Sequence, residues 1–344
     1  MIYPLKLIIF YLFLVLIFDL KQYFFCNYFL LDTKNSFHKS FLNKGKIPLS
    51  GGIIILLSIS IFYVTEFYMF KLILLAIFLI GVFSDLNLIS SPAKRIVAQI
   101  SVVLFFLHIN QIYIHSVRWE FLDYYLQNTY LGYIFSLFCL IVLINGTNFM
   151  DGVNTLVIGY YLAISLAILY LANNFNLELN LHLTKTISVT LLILFIFNFF
   201  GKLFLGDSGA YLISFVLGYL LITFSNANQL VSPYFIVCLL WYPAYENLFS
   251  IIRKISNKNS PTKPDNKHLH QVLFIFIKSK LTYSDNISNT LTGLIINLVN
   301  WLIFLHATLN FNNSKQLLIL ILTSIVFYNF LYFFLLKKIN HKTC

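Results

Sequence analysis

The chain has 344 residues, of which 59% are hydrophobic and only 10% are charged. Soluble domains carry about 25% charged residues, so this composition excludes a soluble globular protein. The formal net charge of +11 lies in short connections between apolar runs, and we expect no nucleic-acid partner. The four cysteines are scattered without the spacing of a metal or disulfide site.

Apolar runs of about 18–22 residues recur along the whole chain, which predicts an all-α, polytopic transmembrane helix bundle. We expect about 11 spans within a single integral membrane domain over residues 1–344. The spans are predicted near 3–20, 50–67, 70–86, 95–114, 131–146, 156–172, 186–203, 209–225, 232–251, 288–308 and 316–336. Most of the 23 lysines and arginines fall on alternate connections. The positive-inside rule therefore predicts the N-terminus outside and the C-terminus in the cytoplasm.

The first two cytoplasmic connections combine basic residues with glycine or acid. The first is rich in lysine and ends in Gly51-Gly52, which suits an anion held by backbone N–H groups at a helix start. An ordinary basic stretch beside anionic lipid is the alternative. In the second, Asp85 precedes Lys94 and Arg95. In one interpretation, Asp85 binds a metal and the two basic residues bind phosphate. In the other, Asp85 is a polar helix cap, and Lys94 and Arg95 extend their charged ends to the membrane surface.

The third connection carries Asn148, Asp151 and Asn154 within an otherwise apolar pattern. If this segment is helical, the three side chains share one face by their i,i+3 spacing. An oxygen-rich face without sulfur or imidazole suits a hard cation such as Mg²⁺. Polar residues at this depth are costly unless they are used, so we interpret the segment as functional.

The fourth connection holds Asp207 between Gly206 and Gly209, at the edge of two long apolar runs. A charge at that place indicates a functional site, although a helix cap is the plain alternative. The fifth connection contains His268 and His270. These two histidines can converge in an extended turn, unless they simply belong to a solvated basic loop.

In their order and residues, these segments resemble the polyprenyl-phosphate N-acetylhexosamine-1-phosphate transferase family, or glycosyltransferase 4 family. The resemblance covers about residues 30–275, with one motif in each cytoplasmic connection. It departs from the family at Ser84 and Asn154, where aspartate is usual, and it is nearer to the O-antigen and capsule-type branch than to the peptidoglycan translocase. The matching motifs are Pro48…Gly51-Gly52, Ser84-Asp85…Lys94-Arg95, Asn145-Gly-Thr-Asn148-Phe-Met-Asp151-Gly-Val-Asn154, Phe204-Leu-Gly-Asp207-Ser-Gly-Ala and Pro264-Asp265…His268-Leu-His270.

The resemblance implies transfer of N-acetylhexosamine-1-phosphate from a UDP-sugar to polyprenyl phosphate, with release of UMP. It implies Mg²⁺, with Mn²⁺ as the alternative, held by Asp207 with Asn148 close by. We expect Asp85 and Asp151 to supply further acid beside the metal or to orient the lipid phosphate, and count both with Asp207 as catalytic. The predicted substrate-binding residues are Lys94, Arg95, Asn154, Asn198, Phe204, His268 and His270, with Phe204 stacked on uracil.

The expected partners are UDP-N-acetylhexosamine, with UDP-GlcNAc as the default, polyprenyl (undecaprenyl) phosphate and the lipid bilayer. A homodimer is an assembly that the sequence allows. The expected place is the inner (plasma) membrane, with the site facing the cytoplasm. Two other functions stay open at this point. A secondary transporter would carry its charges near the bilayer midplane in broken helices, and an inactive relative would act as a scaffold for other glycan enzymes.

Overall fold

The computed structural model describes residues 49–63, 68–258, 267–280 and 283–340, and within these ranges the regular structure is helical. The helices in chain order are α1 (Gly51–Phe62), α2 (Tyr68–Asp85), α3 (Pro92–Asn110), α4 (Glu120–Leu126), α5 (Thr129–Met150), α6 (Leu156–Phe175), α7 (Leu181–Phe199), α8 (Gly206–Ala227), α9 (Pro233–Ser256), α10 (Leu269–Lys280), α11 (Asp285–Leu309) and α12 (Ser314–Asn340).

Within those ranges, nine helices are long and apolar enough to cross a membrane, namely α2, α3, α5, α6, α7, α8, α9, α11 and α12. They coincide with the nine spans predicted beyond residue 70, so the polytopic helical fold is confirmed. The span predicted near 50–67 is instead the 12-residue helix α1. At 1.5 Å per residue, it is about 18 Å long, shorter than a hydrocarbon core of about 30 Å. The span predicted near 3–20 lies outside the described residues.

Consecutive spanning helices are antiparallel, so their alternate ends gather at two faces of the bundle. At one face, the end of α2 contacts the starts of α3 and α8, through Asp85, Arg95 and Asp207. We call this end of the bundle the motif face, because the predicted site residues lie there. At the opposite face, the Arg118 guanidinium donates to the carbonyls of Gln229 (2.5 Å) and Val231 (3.3 Å) and ties two connections together.

Helix α8 is the centre of the bundle. In its most apolar stretch 83% of the residues are buried, against 22% in α3 and in α12. It packs chiefly against α1, α2 and α5. It contains the small residues Gly209, Ala210, Ser214 and Gly218, and small residues of this kind allow membrane helices to approach closely. The central position of α8 fixes its first residues, which include Asp207, against several neighbours at once.

Glycines of α1 and α2 make the closest approach to the start of α8. A Cβ atom at Gly52 would lie 2.7 Å from the backbone nitrogen of Gly209, and one at Gly81 would overlap the Cα of Ser208. The Gly51 N–H donates to the carbonyl of Phe204 at 3.1 Å. That N–H therefore joins α1 to the segment before α8 and is not available to an anion, while an anion site at the other N–H groups of this helix start stays a prediction.

The segment after α5 differs from the prediction. Helix α5 does not end near residue 146 but continues to Met150, with Asp151 as its C-cap residue. The chain then turns through Thr155, whose φ is +67°, and α6 begins at Leu156. The predicted common helical face of Asn148, Asp151 and Asn154 is wrong, because the helix ends before two of the three residues.

We expect Gly81→Ala to destabilise the protein, because the added methyl group meets the backbone of α8, which cannot move aside. Overpacking of this kind costs about 1–3 kcal/mol. The matched control is Gly218→Ala on α8, where the new Cβ meets the terminal methyl groups of Leu140 and Leu143. The thermal unfolding midpoint in detergent should fall for Gly81→Ala and change little for Gly218→Ala; equal midpoints would contradict the close packing described here.

Candidate active site

Asp207 lies in the first turn of α8 and has two partners from neighbouring helices. Its Oδ2 accepts a hydrogen bond from the Ser84 hydroxyl at 2.5 Å and lies 3.3 Å from Nη1 of Arg95. The same Arg95 nitrogen donates to the Ser84 oxygen at 2.6 Å. The Asp207 and Arg95 side chains are about a quarter exposed, at 24% and 22%. A carboxylate, a hydroxyl and a guanidinium thus meet at the surface of the motif face.

Asp85, the last residue of α2, holds the start of α8. Its Oδ1 accepts from the N–H of Asp207 at 2.9 Å, and its Oδ2 accepts from the N–H of Ser208 at 3.1 Å. The first N–H groups of a helix have no partner within the helix, and a negative charge beside them is stabilising. The cap therefore comes from Asp85 rather than from Asp207, which leaves the Asp207 side chain to face Ser84 and Arg95.

A turn at Asn154 and Thr155 is held by amide side chains from two other helices. The Asn154 N–H donates to Oδ1 of Asn289 at 2.6 Å, and the Thr155 N–H donates to Oδ1 of Asn198 at 2.5 Å. A β-branched residue with positive φ is strained, and these bonds from α11 and α7 hold it in place. Gly293 completes the contact, since a Cβ there would overlap the Asn154 carbonyl oxygen.

Both predicted substrate-binding asparagines are therefore part of the scaffold. The Asn154 side chain donates to Thr290 at 3.2 Å and to Asn286 at 3.4 Å, and the Asn198 side chain donates to the Leu203 carbonyl at 2.7 Å. Each residue is almost fully buried. The contacts link the segments that precede α6 and α8. A direct role for these amides in binding substrate stays a prediction.

Asn148 lies on the same side of the bundle as Arg95. The Asn145 side chain donates to Gln99 at 3.0 Å, which fixes α5 against the antiparallel helix α3. Because α3 and α5 run in opposite directions, Asn148 lies one turn beyond that contact toward Arg95. Both Asn148 and Asp151 are half-buried. They flank the end of α5 at the motif face, and their predicted roles beside a metal stay predictions.

A small cleft lies between the ends of α5 and α7 and the start of α11. Phe204 is one of its walls, while Lys94 is exposed at the start of α3. The lining residues are Asp151, Gly152, Val153, Asn154, Asn198, Phe204 and Asn289.

The histidines converge at the start of α10, as the sequence predicts, but both are buried. The rings of His268 and His270 stack at a centroid distance of 5.7 Å and an angle of 9°. They pack against the end of α5, where Phe149 lies 5.3 Å from the His268 ring. In this arrangement the pair supports the 148–152 segment from behind, and a contact with diphosphate stays a prediction.

Sequence reasoning did not single out Ser84 as a partner of Asp207, nor Glu246, Asn289 or Tyr328. Glu246 is fully buried in α9 and accepts hydrogen bonds from His268 and Tyr328. Glu246 could have been found from the sequence, because an acidic residue within a long apolar run indicates a functional site. Ser84, Asn289 and Tyr328 gave no comparable signal, since serine, asparagine and tyrosine occur at many positions of this chain.

The residues present fit a hard cation, provided that the substrate supplies further ligands. Among the described residues no group of three or more His, Cys, Asp and Glu could hold a metal ion. Mg²⁺ is often bound by one or two carboxylates together with substrate phosphates and water. Within the described part of the chain, Oδ1 of Asp207 accepts no hydrogen bond, and Asn148 offers an amide oxygen on the same side of the bundle.

The fold and this site define an integral membrane protein whose polar chemistry is gathered at one end of a helix bundle. Residues 67–225 match the family model described as Glycosyl transferase family 4. That range contains Asp85, Arg95, Asn148 and Asp207. The match supports glycosyl transferase family 4 as the family that this chain resembles over these residues.

Three relatives carry the name undecaprenyl-phosphate alpha-N-acetylglucosaminyl 1-phosphate transferase. The protein from Thermotoga maritima is 25% identical over 228 residues, which cover 66% of this chain and 67% of that protein. The one from Salmonella typhi is 24% identical over 256 residues, 71% of this chain and 69% of that protein. The one from Escherichia coli strain K12 is 23% identical over 256 residues, with the same coverage of 71% and 69%.

We expect Asp85→Asn to loosen the start of α8, because the amide has one acceptor oxygen for two N–H donors and has lost its charge. Hydrogen–deuterium exchange measured by mass spectrometry should become faster in peptides covering residues 203–210. Asp123→Asn is the control, since Asp123 also accepts hydrogen bonds from two donors, a hydroxyl and a backbone N–H, but on the opposite face. Unchanged exchange in the Asp85 variant would show that this carboxylate is not the cap.

Proposed function

We propose that the chain transfers N-acetylhexosamine-1-phosphate from a UDP-sugar, UDP-GlcNAc by default, to polyprenyl phosphate with release of UMP. The product would start lipid-linked cell-envelope glycan synthesis. The observation that carries this proposal is the cluster of Asp207, Ser84 and Arg95 at the start of α8, on the motif face. The names of the three relatives support the same reaction, since each is a transferase of this kind.

In the proposed reaction, a phosphate oxygen of the lipid bonds to the sugar-linked phosphorus of the UDP-sugar. The bond from that phosphorus to the bridging oxygen breaks, and UMP leaves. Such phosphoryl transfer depends on positioning and on neutralisation of charge. Arg95 and the exposed Lys94 can hold phosphate oxygens. A phosphate monoester with a second pKa near 6 is largely dianionic at neutral pH, so serine at position 84 is compatible with the reaction.

The proposal includes Mg²⁺, with Asp207 and Asn148 as its protein ligands. A bound divalent ion of this kind polarises phosphoryl oxygens and neutralises the charge of a diphosphate. Arg95 lies beside Asp207, where its guanidinium would also hold oxygens of the diphosphate. Asp85 acts by fixing the helix start beneath Asp207, and Asp151 stands at the cleft as a second acid.

We further propose that the motif face is cytoplasmic in the inner (plasma) membrane, with the N-terminus outside and the C-terminus inside. The last turns of α9, α10 and α12 all reach this face. A cytoplasmic location follows from the positive-inside rule, because each of these last turns is basic. The residues concerned are Arg253 and Lys254, Lys278 and Lys280, and Lys337 and Lys338.

The direct test is a membrane assay with UDP-GlcNAc, Mg²⁺ and undecaprenyl phosphate, read out as UMP and as the lipid-linked product by mass spectrometry. We expect Asp207→Asn to abolish transfer while the protein still inserts, because the cation loses its carboxylate. Asp123→Asn, at the opposite face, should keep wild-type activity. Retained transfer in the Asp207 variant would reject this site, and uptake of UDP-sugar without UMP release would favour a transporter.

We expect Ser84→Asp to bind divalent cations more tightly, because a second carboxylate would stand next to Asp207. Affinity of oxygen-ligand sites rises with the number of charged ligands. Mn²⁺ binding to the purified protein, followed by electron paramagnetic resonance, measures this without turnover. Ser84→Ala is the matched control and should bind no more tightly than wild type. An unchanged affinity in Ser84→Asp would argue that the cation is held elsewhere.

A further inference from the structure

Glu246 is a buried acid that the proposed reaction does not use. It lies in α9, and its side chain has no exposed surface. Its Oε1 is 2.9 Å from Nδ1 of His268 and accepts from the N–H of Leu269 at 3.2 Å, while its Oε2 accepts from the Tyr328 hydroxyl at 2.7 Å. Both carboxylate oxygens are thus engaged by donors from α10 and α12.

This contact fixes one proton of His268. An ionised carboxylate only accepts hydrogen bonds, so a proton shared between the ring and ionised Glu246 belongs to Nδ1 of His268. The opposite nitrogen, Nε2, then points away from the acid. The N–H of Leu269 binds the same carboxylate oxygen, and the N–H of His268 donates to the Gln271 side chain at 3.0 Å. Ring and backbone are therefore oriented together.

The oriented ring is part of the wall behind the motif face. His268 stacks on His270, and Nε2 of His270 lies against Gly152, where a Cβ would overlap it. Phe149 packs against the His268 ring. Phe149 follows Asn148 directly, and Gly152 follows Asp151 directly. The position of the imidazole pair thus bears on the segment that carries two predicted site residues.

The last span secures this arrangement from outside. The Tyr332 hydroxyl donates to the Lys267 carbonyl at 3.0 Å and accepts from Nη1 of Arg253 at 2.6 Å. Tyr328, one helical turn earlier, donates to Glu246. Two tyrosines of α12 and two charged residues of α9 therefore hold residues 267–269, where α10 begins.

We propose that Glu246 is a positioning residue, which orients His268 through Nδ1 and thereby sets the imidazole pair against the 148–152 segment. The proposal rests on the proposed transferase activity for its effect on turnover. A buried carboxylate is a poor device for stability alone, because apolar residues of similar volume often stabilise as well or better. Three donors directed at one carboxylate instead suit the fixing of a single ring orientation.

The first experiment compares Glu246→Gln and Tyr328→Phe with Tyr245→Phe. Tyr245 is also on α9 and accepts from Asn329 of α12, so its variant removes an interhelical hydrogen bond without touching Glu246. For detergent-purified, monodisperse protein, we expect Glu246→Gln to lower kcat by about 10- to 100-fold, as for other orienting partners, with KM for the UDP-sugar nearly unchanged. Tyr328→Phe should lower kcat less, and Tyr245→Phe should match wild type.

The second experiment needs no turnover. Nitrogen-15 magnetic-resonance spectra of imidazole-labelled protein in bilayers report which ring nitrogens are protonated, and His268→Gln identifies the signal. We expect Nδ1 of His268 to be protonated in wild type and Tyr245→Phe, and partly unprotonated in Glu246→Gln. An unprotonated Nδ1 in wild type, or wild-type kcat in Glu246→Gln, would overturn the proposal. Absence of transfer by wild type would refute the proposed function, while the spectra would still decide the pairing.

Discussion

The carboxylate of Asp85 on the first N–H groups of α8 is the contact on which the site depends. It joins the end of one span to the start of the most buried helix. Asp207 is relieved of the capping role and presents its side chain to Ser84 and Arg95. The two acids stand close together but do different work, because one faces the helix end and the other faces the surface.

The rest of the motif face follows the same rule, that polar groups within a membrane protein need internal partners. The turn at Thr155 has its N–H satisfied by Asn198 and its carbonyl by Asn297. These amides come from α7 and α11, so a short strained turn fastens three helices. Holding helices together in this way uses side chains that the sequence shows only as polar. Several of the asparagines belong to this scaffold.

Hydropathy predicted the nine long spans because a membrane helix is specified by a run of apolar residues, which is a local property. The gathering of polar residues at the motif face was also predicted, since Asp85, Asp151 and Asp207 lie in or beside alternate connections between spans. The separate roles of these polar residues were not predicted. That Asp85 caps α8, and that Asn154 and Asn198 hold a turn, depends on partners about 40 to 140 positions away in the chain. The end of α5 was misplaced because Asn145 to Asn148 are polar yet helical.

The match to the family model ends at residue 225, before α9 begins, whereas the motif face continues into α9, α10, α11 and α12. Asn289 supports the turn at Asn154, and Glu246 with Tyr328 holds the start of α10. The front of the site is thus made by spans within the matched range, and its back by later spans with buried polar side chains. The two parts meet at the 148–152 segment, which four side chains, Tyr328, Glu246, His268 and His270, connect to α12.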